Sequence, residues 1–86
     1  MTPFTLDLLQ PGERTILREL NNQGSMRRRL RELGFVEGTS IQCVGRSPGG
    51  DPKAYLVRGT VIALRRDDCK FVLVDAPVAE GCDVWV

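Results

Sequence analysis

The chain has 86 residues, 42% of them hydrophobic and 27% charged, with a formal net charge of +1; this composition excludes a disordered tail and argues against a protein that binds nucleic acid through overall charge. A chain this short builds one domain around a single modest core, and it has no apolar run near the roughly 18 residues of a membrane span. It contains no histidine, so the commonest general base and the commonest transition-metal ligand are both missing.

The first residues, MTPFTLDLLQPGE, lack the basic and apolar regions of a secretion signal. Residues 2–10 read as a lead-in in which Phe4, Leu6, Leu8 and Leu9 are available to cover an edge of the core, and Pro11-Gly12 signals a turn. Residues 13–20 (ERTILREL) begin with strand alternation, although their end also fits a helix. Asn21-Asn22-Gln23-Gly24 is a loop, and Ser25 is the expected N-cap, because its hydroxyl can accept from an orphan backbone N–H.

Residues 25–38 (SMRRRLRELGFVEG) hold the one convincing helical period in the chain. Met26, Leu30 and Leu33 fall at i, i+4 and i+7 on one stripe. Gly34 is placed to end the helix in a left-handed conformation, Phe35 and Val36 form an apolar hook, and Gly38 marks the next turn. A helix of about nine residues is shorter than the roughly 12–15 that persist alone in water, so it must dock on the rest of the chain.

After it, residues 39–46 read as a second strand with Ile41 and Cys43 on one face. The prolines and glycines of SPGGDP, residues 47–52, make a loop. Residues 54–58 and 61–65 form a hairpin around Gly59-Thr60. Residues 66–70 are a polar turn with room for one helical turn, and residues 71–74 (FVLV) are the fifth strand. Pro77 opens a tail that carries Val84, Trp85 and Val86. Short strands with regular turn signals in so small a chain imply a barrel, which also hides sheet edges. The helix is expected to cover one end and close it.

Three segments, LQPGE at 9–13, RRLRELGFVEGT at 28–39 and SPGGDPKAYLVRGTVIALRRDDC at 47–69, together resemble the FeoA family. The order and spacing of its pattern are followed over residues 6–74, about four-fifths of the chain. The departures are small: Gly49 stands where a bulkier residue is usual, Asp68 replaces a Glu, and Cys69 occupies a small-residue position. The resemblance implies a mostly β fold, an SH3-like five-stranded barrel over residues 1–75 with a short α-helix between strands 1 and 2, followed by a tail, 76–86. It also implies a non-enzymatic cytoplasmic accessory of ferrous iron uptake that binds and modulates FeoB, a membrane permease with a cytoplasmic GTP-binding domain. The alternatives are a metal-responsive domain like that of DtxR-type repressors and a small nucleic-acid-binding barrel.

Arg27, Arg28 and Arg29 fall in the first turn of the helix, where the macrodipole disfavours cations by about 0.3–1 kcal/mol each. Arg27 and Arg31 also repel at i, i+4. Either the arginines are simply solvated, with Arg29 laying its stem over the apolar stripe, or Arg27, Arg28 and Arg31 form a docking face for an acidic partner. Val84 and Trp85 are the other candidate contacts; the tail can pack on the barrel, add a strand to a partner or be merely disordered, and packing or self-association is the expectation. Gly12, Leu30, Leu33, Gly34, Gly38 and Gly59 are read as structural.

No catalytic site is expected. Asp51, Asp67 and Asp68 have no nucleophile beside them, and the 48–52 loop lacks the Gly-Lys-Ser/Thr and helix of a phosphate cradle. The chain's three cysteines are widely spaced, so Cys43 and Cys69 are read as core residues and Cys82 as an exposed thiol. No cofactor is expected, and iron is the cargo of the partner.

Overall fold

The computed structural model describes residues 4–79. In chain order they form β1 (Phe4–Thr5), a 3-10 turn (Leu6–Leu8), β2 (Glu13–Leu20), α1 (Gly24–Glu32), β3 (Ser40–Arg46), β4 (Lys53–Val57), β5 (Thr60–Leu64), α2 (Arg66–Cys69), β6 (Val72–Val74) and β7 (Val78–Ala79). The strands pair antiparallel in the order β1-β6-β2-β3-β4-β5, with β7 added beside β2. The five expected strands are present, and α1 is inserted between the two that were expected to flank it.

The long strand β2 belongs to both sides of the barrel. Arg14 to Ile16 pair with β3, while Leu17 to Leu20 pair with β6 across a register shift between Leu17 and Glu19. An irregularity of this kind bends a strand and increases its twist, which lets one strand serve two sheets. A second shift lies in β3 between Cys43 and Gly45. Alternation places Ile41 and Cys43 of β3, Tyr55 and Val57 of β4, and Ile62 and Leu64 of β5 in one core.

The hydrogen-bonded path runs from β1 to β5 and no ladder joins these two ends. The 3-10 turn that follows β1 is tied to β4. Lys53 Nζ donates to the carbonyls of Asp7 at 2.9 Å and Leu9 at 2.7 Å, and Leu6 and Leu9 are buried in the core. Phe4 and Leu8, expected to cover the core with them, are exposed. A strand followed by a tight turn aims alternate side chains outward, so only half of this apolar set reaches the interior.

α1 is inserted between β2 and β3, which pair directly, and it packs its apolar stripe on the core through Leu30, Met26 and Leu33. Gly24, not Ser25, is the first residue of α1; Gln23 is the N-cap, in extended conformation, and makes no side-chain cap hydrogen bond. The loop before it is pinned first, by Asn21 N–H donating to Phe71 O at 2.8 Å and Asn22 Nδ2 donating to Asp68 O at 2.9 Å.

The other end of α1 follows the expected pattern. Gly34 N–H donates to Arg31 O at 3.1 Å and Phe35 N–H to Leu30 O at 2.9 Å, the paired bonds of a Schellman motif. Gly34 has φ +109, and a Cβ there would meet Arg58 Cδ at 3.0 Å and Val57 Cγ1 at 3.5 Å. Leu30 and Phe35 are fully buried, and Met26 and Leu33 pack partly buried against them.

The hairpin turn is Arg58-Gly59 rather than Gly59-Thr60, since Val57 pairs with Thr60. Both turn residues have positive φ, as a type I′ turn requires. Phe71 precedes β6 and is exposed.

Candidate protein interface

The surface around the start of α1 is a band of three adjoining hollows. The first, of about 510 Å³, is shallow and lined by Gly24, Arg27, Arg28, Arg31 and Glu32. The second, of about 470 Å³, shares Gly24 and Arg27 with it and continues over Glu19 to Gln23. The third, of about 270 Å³, shares Asn21, Asn22 and Gln23 with the second and is closed by Met26, Asp68 and Phe71. The arginine face predicted from the helical period is thus continuous with an apolar corner to which the period gave no clue.

Among the described residues none of Arg27, Arg28, Arg29 and Arg31 has an acidic partner within salt-bridge distance. The ion pairs present there are elsewhere, Arg18–Asp75 at 2.9 Å and Lys70–Asp67 at 3.6 Å. Glu32 stands four residues after Arg28, yet the two do not pair, in keeping with the weaker orientation of that spacing. Because α1 starts at Gly24, Arg29 lies with Arg31 in its last turn, where the macrodipole favours cations, and not in the first turn as expected; the four exposed arginines still present positive charge that the described fold does not neutralise.

Gly12, Gly38 and Gly59 lie in turns, Leu30 in the core and Leu33 at its edge. Val84 and Trp85 lie outside the described residues. Two polar residues that sequence reasoning passed over prove central. Lys53 ties the 3-10 turn to β4, and Asn22, only 5% exposed, spends its amide nitrogen on Asp68 O while its Oδ1 has no partner among the described residues. Nothing in the run Asn21-Asn22-Gln23 marks the middle residue for burial.

A separate hollow of about 240 Å³ mixes Arg46, Lys53 and Arg66 with Asp7 and Asp51. Lys53 is already committed to carbonyls, and Asp51 Oδ1 accepts from Arg66 N–H at 2.9 Å, at the start of α2. The 47–52 loop therefore serves as a structural turn that caps a helix.

The buried thiols are unsuited to chemistry. Burial pushes the Cys69 thiol up to about 11, although its bond to Tyr55 works in the other direction, and burial also raises Cys43. Tyr55 is raised far above its usual range by burial and by Cys69 beside it. These groups hold their protons more tightly when folded, so their contribution to stability is intact at neutral pH and falls as pH rises through 9 towards 11. Cys43 and Cys69 should accordingly resist a thiol reagent at pH 8 in the native protein and react on unfolding. Ready native labelling of either, located by mass spectrometry, would contradict the placement. Among the described residues no three Cys, Asp or Glu side chains cluster as a metal site.

The FeoA domain model matches residues 4–76 of the chain. A curated relative, the Fe(2+) transport protein A/Fe(2+) transporter FeoB fusion protein of Porphyromonas gingivalis, is 31% identical over 70 residues, covering 81% of this chain and 8% of its own length. The crystal structure of Stenotrophomonas maltophilia FeoA complexed with zinc, described as an SH3 domain protein, superposes with a TM-score of 0.76 at 36% identity over 84% of this chain and 89% of that one. The solution structure of FeoA from Chlorobium tepidum gives 0.81 at 27% identity, covering 96% and 81%. The barrel is therefore SH3-like, as the sequence pattern implied.

Proposed function

This chain belongs to the FeoA domain family, and we propose that it is a non-enzymatic cytoplasmic accessory of ferrous iron uptake that docks on a FeoB-type permease through the arginine face of α1. The observation that carries this reading is the Porphyromonas gingivalis relative, in which an FeoA part and an FeoB transporter share one polypeptide. Covalent fusion keeps two modules at high effective concentration, which favours a contact between them. The unneutralised arginines supply the complementary chemistry, since charge at an interface rim speeds encounter and fixes orientation. Iron is the cargo of the partner in this reading, and the barrel is a binding surface.

Co-purification with the cytoplasmic GTP-binding domain of such a permease, with GTP hydrolysis measured in the presence and absence of this protein, tests it. The double variant Arg27→Glu/Arg31→Glu should keep its melting temperature. Each exposed ion pair contributes about 0.2–1 kcal/mol and reversal adds repulsion, so binding should weaken roughly ten- to thirtyfold. Unchanged affinity in the folded variant would remove α1 from the interface.

A further inference from the structure

The hollow of about 270 Å³ between Asn22, Met26, Asp68 and Phe71 is smaller than the roughly 300–1,000 Å³ of a small-molecule site and suits one large side chain. Its walls define the chemistry of that side chain. Met26 is half-buried against the core and Phe71 is 53% exposed, so the occupant needs an apolar body. Asn22 is buried and its Oδ1 is an acceptor without a donor among the described residues. The hydrogen bond from Nδ2 to Asp68 O settles which amide atom is the oxygen. A buried acceptor left unpaired costs about 1–3 kcal/mol, so an occupant that brought an N–H or O–H to it would recover part of that cost. Asp68 in this hollow and Arg27 in the adjoining one act in opposite directions on a charged occupant, so charge does not select Lys or Arg. The indole of tryptophan combines a large apolar body with a neutral group that only donates.

We propose that this hollow receives Trp85 from a second copy of the chain, so that molecules join through residues 80–86 of one and the α1 corner of the next. Trp85 is the single tryptophan of the sequence and stands between Val84 and Val86, with Glu80 and Asp83 just before it. Those two carboxylates complement the arginines of α1, which have no acidic partner among the described residues. β7 runs antiparallel to β2 and its last pair sets Ala79 opposite Glu13, so the chain leaves the described residues heading away from the end of β2 that adjoins Asn22, which favours a second copy as the donor of the segment. The contact is heterologous, because the two copies use different surfaces, so it builds chains or rings rather than a twofold dimer. This inference does not depend on the permease reading.

Sedimentation velocity and tryptophan emission over a dilution series of the full chain test it. With increasing concentration the sedimentation coefficient should rise and the emission, which reports Trp85 alone, should move to shorter wavelength. Trp85→Ala and Phe71→Ser, the latter at an exposed position, should each stay monomeric while melting as the parent does. An equimolar mixture of the two should regain a dimer, since one variant keeps the hollow and the other keeps the tryptophan. A parent that remains monomeric at near-millimolar concentration overturns the proposal. Short-wavelength emission unaffected by dilution assigns Trp85 to its own molecule and overturns it too. Association that survives either substitution, or a mixture that stays monomeric, places any interface elsewhere.

Discussion

Phe35→Ala should lower the unfolding free energy by about 3–5 kcal/mol, the usual range for removing a buried aromatic ring. Phe35 is 0% exposed and packs with Leu30 in the core, directly after the Gly34 turn that ends α1. The ring anchors more than its own contacts. Its N–H closes the helix on Leu30 O, so loss of the ring also loosens the attachment of a helix too short to persist alone. A domain of this size has about 4–13 kcal/mol of stability in all, so the loss is a large share of the total and the unfolding midpoint should fall markedly. Phe71→Ala is the natural control, because its ring is 53% exposed and surface substitutions change stability by about 0.5 kcal/mol or less. Guanidinium unfolding of the two variants distinguishes them. Equal midpoints would show that Phe35 does not hold the helix.

The second large effect is expected at Lys53→Met. Its ammonium donates to the carbonyls of Asp7 and Leu9 at 2.9 and 2.7 Å and ties the 3-10 turn to β4. Hydrogen bonds from charged groups contribute about 1.5–3 kcal/mol each, and carbonyls left without a donor add a desolvation cost. One term opposes this. Lys53 pairs across the ladder with Arg46, and removing a like charge there returns about 0.2–1 kcal/mol. The hydrogen bonds outweigh the repulsion, so the net loss should be about 2–6 kcal/mol, lowering Tm by roughly 10 °C or more. Methionine keeps the aliphatic stem, so the loss reports the ammonium. A variant as stable as the parent would mean that the apolar contacts of Leu6 and Leu9 hold the turn by themselves.

What the sequence determined by itself was whatever depends on near neighbours along the chain. The apolar stripe of Met26, Leu30 and Leu33 and the glycine at 34 specify a helix and its end, because a helix and a Schellman turn are closed by groups three to five positions apart. Alternation at Ile41 and Cys43 and at Tyr55 and Val57 specifies strand faces, because a strand's side-chain period is two. The arginines were legible as a charged face for the same reason.

Tertiary structure alone decided which groups distant in sequence meet. Lys53 bonds Asp7 and Leu9 across 46 and 44 positions, and Asn22 bonds Asp68 across 46. No local pattern encodes such pairings; they follow from the order in which the strands stack and from the bend in β2. The same geometry separates Phe4 and Leu8 from Leu6 and Leu9, and Phe71 from Phe35, although each set is alike in composition. It also brings the α1 arginines beside an apolar corner with a buried acceptor unpaired among the described residues, because the 20–24 loop is pinned to the residues around α2 by Asn21 and Asn22.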